Sequence, residues 1–296
     1  SPNEPGYKEL YQIPDNWSEI ERQIILEHNK VRQNPQSYIP LMQNWLEQFE
    51  SDYIVRNGVA PRVNLVTQEG KSAVLEAMEF LREQTPLGPL APSEGLAKAA
   101  TDHAQDQGQT GETGHDGSDG SDPQQRMKRY GLPYLGGENI AYGPNTAQQV
   151  VMQLIIDDGV RDRGHRINIF KPEFQVAGVS CAEHPTFRTI CVINYAQGYL
   201  ESPDAQVPDL TFKVNNQSGF DVTEIYLAPA TKPDWGNNRL DSPLAHRYIG
   251  TFTSSGLIEG TQPVCNFNIR EILATGQEKV AKKVNLCEKV YTLSVP

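Results

Sequence analysis

The segment from Glu201 to Asp209 constrains this chain most, because it holds Pro203 and Pro208 and marks a change in hydrophobic period. Each proline fixes φ and removes a backbone donor, so no helix or central strand runs through the segment. Before it, large apolar residues recur mostly at helical spacing; after it they alternate. A chain of 296 residues is long enough for two ordinary hydrophobic cores. The expected division is an N-terminal extension over 1–17, a mixed helix-and-strand domain over 18–202, a linker over 203–209 and a small all-β sandwich over 210–296.

Within the first domain, Ser18 with Glu21 forms a capping-box pattern, and Ile20, Ile24, Leu26 and Val31 give the following helix an apolar face until Pro35. Pro40 is read as the next break. Leu41 to Phe49 and Lys71 to Arg82 show helical spacing, and Thr85 to Pro92 reads as a rigid, strandless connector. Ser93 caps a helix to about Gln107, and Thr146 caps another to about Ile156. Gly108 to Gly137 is rich in Gly, Asp and Ser and reads as loop, with a helical signal only over Gln124 to Tyr130. Val176 to Cys181 and Thr189 to Tyr195 are β-branched runs around a turn, the pattern of a hairpin. In the second domain, Leu210–Val214, Val222–Ala228, Tyr248–Thr253, Val264–Ile269 and Val290–Val295 are expected strands.

Cys181 and Cys191, then Cys265 and Cys287, form two sequence pairs, each inside one domain. Local disulfides are expected, and with them an oxidising compartment; the other reading is four buried thiols in a cytosolic protein. The net charge of −11 repels a phosphate backbone, so nucleic acid is not an expected partner. No apolar run reaches the roughly 20 residues a membrane-spanning helix needs. The absence of a basic and apolar leader before Pro2, Pro5 and Gly6 fits a secreted, periplasmic or cell-surface chain from which a signal peptide has been removed. Asn16-Trp-Ser and Asn216-Gln-Ser are N-glycosylation sequons in form.

Three segments set ionisable residues among glycines, where backbone and ligand can approach closely. They are Gly114-His-Asp-Gly-Ser-Asp-Gly-Ser, Gly136-Gly-Glu-Asn-Ile-Ala, and Asp157-Asp-Gly leading to Gly164-His-Arg-Ile-Asn-Ile-Phe. With Leu26-Glu-His-Asn-Lys-Val-Arg and Ala177-Gly-Val-Ser-Cys, they resemble the bacterial branch of the CAP superfamily over roughly residues 18 to 200. That superfamily is named for cysteine-rich secretory proteins, insect venom antigens and plant pathogenesis-related proteins. The resemblance implies an α+β fold, an α-β-α sandwich with a cleft on one side, and a cleft tetrad of two histidines and two acidic residues. His115, Glu138 and His165 match three of the four, as candidate catalytic residues; the fourth is Asp157 or Asp158. His103, Asn139 and Arg166 are the expected cleft lining, with His103 also readable as a structural histidine.

Two neutral imidazoles, His115 and His165, are candidate ligands for zinc or another divalent metal, with Glu138 as a base beside them. No Ser or Cys nucleophile accompanies them in a recognisable motif. Asp116, Asp119 and Asp122 lack the Asp-x-Asp-x-Asp-Gly spacing of a calcium loop. His28 reads as a packing histidine, while His184 and His246 fall outside the expected site. Arg163 and Arg166 flank His165, where they either hold an anion or are solvated. After the boundary, Asn215-Asn-Gln-Ser-Gly, Ile225-Tyr-Leu-Ala-Pro, Asp234-Trp-Gly and Val284-Asn-Leu-Cys resemble a small β-domain of other bacterial exported proteins. The expected function is a secreted binding protein for a small ligand, a lipid or an extracellular macromolecule. The alternatives are a metal-dependent peptidase or esterase and a structural extracellular module.

Overall fold

The computed structural model describes residues 11–55, 65–205, 210–232, 234–254, 256–260, 262–288 and 290–294. The chain divides into two compact units, Ser1–Ala205 and Gln206–Pro296. Residues 1–10 of the expected extension, 206–209 of the expected linker and Val295 of the last expected strand lie outside the described residues.

In the first unit, α1 (Glu19–Gln33) starts where Glu21 accepts from the Ser18 backbone N–H at 2.7 Å, the reciprocal half of a capping box. Pro40 does not break the chain: it occupies the first turn of α2 (Ile39–Leu46), where a missing N–H costs nothing. A short ribbon of β1 (Ile54–Val55) and β2 (Leu65–Val66) precedes α3 (Lys71–Glu83). The connector is not strandless, because Ala91–Pro92 forms β3. Ser93 then caps α4 (Glu94–Thr110), its Oγ accepting from the Leu96 N–H at 3.1 Å. The glycine-rich region contains α5 (Pro123–Lys128) and, against expectation, ends in a 12-residue strand, β4 (Gly131–Tyr142). Next come α6 (Ala147–Ile156), capped by Thr146, the short α7 (Gly164–Ile169) and the hairpin of β5 (Val176–His184) with β6 (Arg188–Glu201).

The sheet order is β3-β5-β6-β4, with β3 parallel to β5 and the other pairs antiparallel. Strand β6 explains the layering, since side chains on a strand alternate between its faces. Cys191, Ile193 and Tyr195 pack with residues of α1, α3 and α6, whereas Ile190, Val192 and Ala196 join residues of α4. Both faces are therefore covered, giving the α-β-α sandwich. At Gly178 a Cβ would stand 2.1 Å from the Ala97 nitrogen of α4, so only glycine lets this helix approach the sheet. Cys181 and Cys191 are register partners on β5 and β6 and are disulfide-bonded.

His28 lies wholly inside this core. Its Nδ1 meets the Ile24 carbonyl at 2.8 Å and its Nε2 meets the Tyr195 hydroxyl at 2.7 Å. A carbonyl only accepts, so Nδ1 carries the proton and the tyrosine donates to Nε2. Burial lowers its pKa to about 4, opposed by the Ile24 bond and aided by the nearby Arg32 charge.

The second unit is a β-sandwich. Strands β7 (Leu210–Gln217), β9 (Ile249–Ser254) and β14 (Val290–Ser294) form one sheet in the order β14-β7-β9. The other, in the order β13-β12-β8, comprises β8 (Val222–Pro229), β12 (Asn266–Leu273) and β13 (Glu278–Asn285). A two-residue pair, β10 (Ile258–Glu259) and β11 (Gln262–Pro263), lies between them in sequence. Phe212, Val214, Ile225, Leu227, Phe267 and Ile269 fill the core, and Cys265 is bridged to Cys287. Strand β13 is not among the expected strands: its Lys-rich alternation suits an edge strand, whose outward charges discourage further pairing. Asn216 is fully buried, its amide donating to the carbonyls of Phe220 and Leu244, so the second sequon is closed in the folded unit.

Glu271 points into the sandwich core, fully buried, and neither carboxylate oxygen has a hydrogen-bond partner among the described residues. Burial raises its pKa to about 7, with Lys279 opposing. The two units should therefore respond to pH with opposite signs. For His28 the folded pKa is depressed, so its contribution is present above about 6.5 and is lost as pH falls towards about 4. For Glu271 the folded pKa is raised, so stability falls as pH climbs from about 4.5 to about 7 and then levels off. Glu271→Gln should remove that second dependence and stabilise unit 2 by about 3 kcal/mol at neutral pH. Hydrogen exchange resolved by unit, measured across this range, checks both signs; a unit 2 whose protection rises with pH in the same way as the variant would contradict the assignment.

Candidate functional site

The first site histidine sits on the loop between α4 and α5, and the turn that starts α5 fixes what lies beneath it. Asp122 caps that helix, accepting from the Gln125 N–H at 2.7 Å. One turn on, Arg126 is buried, with a side-chain exposure of 2 %, against the Glu138 carboxylate of β4, at 1 %. An Arg126 terminal nitrogen stands 3.1 and 3.0 Å from the two oxygens of Glu138. The guanidinium also donates to the carbonyls of Ser121 at 2.7 Å and His115 at 2.8 Å. Glu138 Oε1 further meets Nδ1 of His115 at 2.8 Å, while the imidazole itself remains 49 % exposed. A carboxylate held by a guanidinium only accepts, so His115 carries a proton on Nδ1, and in the neutral imidazole Nε2 is then the free lone pair.

A parallel arrangement surrounds the second histidine. Asp157 follows α6 in the left-handed conformation, φ 57° and ψ 44°, which turns its side chain back towards α7. Its Oδ1 meets Nδ1 of His165 at 2.6 Å, and its Oδ2 accepts the His165 backbone N–H at 3.0 Å. Of the two candidate aspartates, Asp157 is thus the one on the histidine. Asp158 accepts instead from the backbone N–H groups of Gln68 and Glu69, both at 2.7 Å. The His165 side chain is 25 % exposed.

Residues 138 and 139 are neighbours on β4 and face opposite sides of the sheet. Glu138 reaches His115; Asn139 donates to the His165 carbonyl at 2.9 Å and to the Tyr195 hydroxyl at 3.2 Å. Asn168 of α7 donates back to Asn139 at 2.9 Å. One edge strand therefore ties down both histidine segments. A pocket of about 310 Å³ beside it is lined by His115, Gln124, Met127, Gly136, Gly137 and Glu138, among others.

The three residues expected to line the cleft are all buried. Asn139 is buried in the network just described. His103 is buried on α4, its Nε2 on the Gly114 carbonyl at 2.8 Å, and desolvation lowers its pKa. Arg166 is buried too, its terminal nitrogens 2.6 and 3.0 Å from Glu76 and its Nε on the Ile155 carbonyl. Arg163 pairs with Glu69 at 2.6 and 2.8 Å. Neither arginine is placed to hold an external anion. His184 and His246 serve turns, the latter accepting from the Gly219 N–H. Among the described residues, no group of three or more His, Cys, Asp or Glu side chains is arranged to hold a metal ion. Sequence reasoning missed Arg126, although the Asp122-Pro-Gln-Gln125 cap pattern was there to place it on the first turns of a helix.

An α-β-α sandwich whose edge strand carries two carboxylate-bound histidine segments defines a class of protein. The chain matches the model of the Cysteine-rich secretory protein family, CAP, over residues 27–195, more than half its length, and belongs to that family. No curated protein matches it. Among solved structures it is similar to an outer surface protein from Borrelia burgdorferi, at 21% identity and a TM-score of 0.32 over 37% of this chain and 78% of that one. It is also similar to an extracellular protein containing a SCP domain from Bacillus anthracis, again at 21% identity and a TM-score of 0.32, over 42% of this chain and 38% of that one. Among the described residues no helix is long and apolar enough to cross a membrane.

The buried ion pair gives a stability test. Arg126→Met alone strands the Glu138 charge and should cost about 3–5 kcal/mol, whereas adding Glu138→Gln should recover much of the loss. Urea unfolding of both variants measures this; equal destabilisation by each would show that the pair is not what holds the region.

Proposed function

We propose that this CAP-family chain is an extracellular binding module that holds a divalent transition metal, zinc or a similar ion, at the Nε2 atoms of His115 and His165. The observation that carries the reading is that each imidazole spends Nδ1 on a buried carboxylate, Glu138 or Asp157. Carboxylate-bound imidazoles of this kind orient Nε2 and raise its basicity, as the outer partners of metal-ligating histidines do. The donor set fits such an ion but is small. Two imidazoles whose carboxylate partners Glu138 and Asp157 are already engaged make a weak site, whose remaining positions fall to water or to a ligand. When bound, the ion supplies a Lewis-acidic contact for an oxygen of that ligand, whether a small molecule, a lipid headgroup or part of a macromolecule.

The hydrolase reading fits less well. It asks Glu138 to act as a base, yet both its oxygens are engaged by Arg126 and one also by His115. An extracellular setting is supported by the two disulfides, which persist in oxidising compartments, and by the secretory family.

Zinc titration by calorimetry tests the proposal. His115→Ala and His165→Ala should each remove most of the binding, and Asp157→Asn should weaken it by roughly 10–100-fold through loss of orientation. A wild type that binds no zinc, or a double alanine variant that binds it as the wild type does, would overturn the reading.

A further inference from the structure

His115 lies on an exposed glycine-rich loop, yet the residue before it is gripped from three directions. The Gly114 N–H donates to the Tyr142 hydroxyl at 3.0 Å. That hydroxyl donates to Oε1 of Gln107 at 2.6 Å, and the Gln107 amide nitrogen donates to the Gly114 carbonyl at 2.7 Å. The three bonds close a ring in which every donor and acceptor runs in one direction. His103 adds a second donor to the same carbonyl, Nε2 at 2.8 Å.

The cost of that last bond is informative. Gly114 O only accepts, so His103 carries its proton on Nε2, and its buried Nδ1 is left with no partner among the described residues. An orphaned buried acceptor is destabilising, and here it serves a carbonyl that Gln107 already satisfies. One donor lets a peptide plane pivot; two donors, with Tyr142 on the preceding plane, fix it. The conformation so fixed has φ 105° at Gly114, where a Cβ would meet nothing within 4 Å and the restriction is backbone alone.

His103 and Gln107 are four residues apart on α4, on one face, and Asp106 beside them accepts the Ser118 N–H at 2.8 Å further along the loop. We infer that His103, Gln107 and Tyr142 are positioning residues, a clamp on Gly114 that aims the His115 imidazole so that Nδ1 stays on Glu138 and Nε2 faces outward. The clamp acts on the ring whatever Nε2 meets; its effect on zinc rests on the function proposed above.

The test reads the His115 ring directly. Nitrogen-15 imidazole spectra of the full chain at mildly alkaline pH should show a single Nδ1–H tautomer for His115 in the wild type. His103→Leu, Tyr142→Phe and Gly114→Ala should each give mixed tautomers at His115 and weaken zinc binding by roughly 10–100-fold. His103→Gln, which retains a donor, should restore the wild-type signature. Tyr142→Phe keeps the ring that packs on His184 and Phe187, so a cooperative thermal transition in that variant separates loss of aim from loss of fold. Mixed tautomers in a protein that binds no zinc even as wild type would uphold the clamp and sink the metal reading. A His115 signature unchanged in Tyr142→Phe and Gly114→Ala would overturn the clamp.

Discussion

A carboxylate removed from water must be neutralised or paired, and Glu138 is paired. With its oxygens on Arg126 and His115, its desolvation, worth several kcal/mol if left uncompensated, is offset by a guanidinium buried equally deeply. Arg126 does more than balance charge. Its other donors hold the carbonyls of Ser121 and His115, so the loop that carries the first histidine is fastened to the ion pair that orients it. An isolated Glu138 would protonate or drag water inward; an isolated Arg126 would leave the loop without its floor.

The same strand serves the second histidine because a strand presents successive side chains to opposite faces. Asn139 belongs to a chain of donors and acceptors from His28 through Tyr195 to the His165 carbonyl, so α1, β6, β4 and α7 are held to one another by polar groups inside an apolar core. Fully satisfied networks of this kind rigidify what they join. The site's two imidazoles are thus the exposed tips of buried assemblies, His115 on the Glu138–Arg126 pair and His165 on Asp157, and Gly178 allows the α4 side of the sandwich to pack closely enough for its polar face to reach the loop.

Much of this is legible in the sequence where a local rule decides the outcome. Ser93, Thr146 and the Ser18–Glu21 pair announce their helices because a cap is a contact between near neighbours, and both disulfides join cysteines of one strand-rich segment. The three site segments stand out through ionisable residues among glycines. Strand β4 is hidden by the same glycines, whose strand character comes only from pairing with β6. Ala91–Pro92 and the charged β13 likewise become strands through a partner, not through propensity. The choice between Asp157 and Asp158 turns on one left-handed residue, and Arg166 reads as a cleft residue until Glu76 of α3, distant in sequence, takes its charge. Interactions between residues far apart in sequence are the part that composition and period do not carry.

The proposed function turns on two imidazoles that give Nδ1 to carboxylates and would offer Nε2 to a metal. A zinc-soaked crystal, with anomalous data collected at the zinc edge, tests that directly. The expected map has one zinc peak bonded to Nε2 of both His115 and His165 at about 2.0–2.1 Å, with Glu138 and Asp157 still on the Nδ1 atoms. Zinc bound through an Nδ1 atom with its carboxylate displaced, or a peak touching only one of the two histidines, would contradict it.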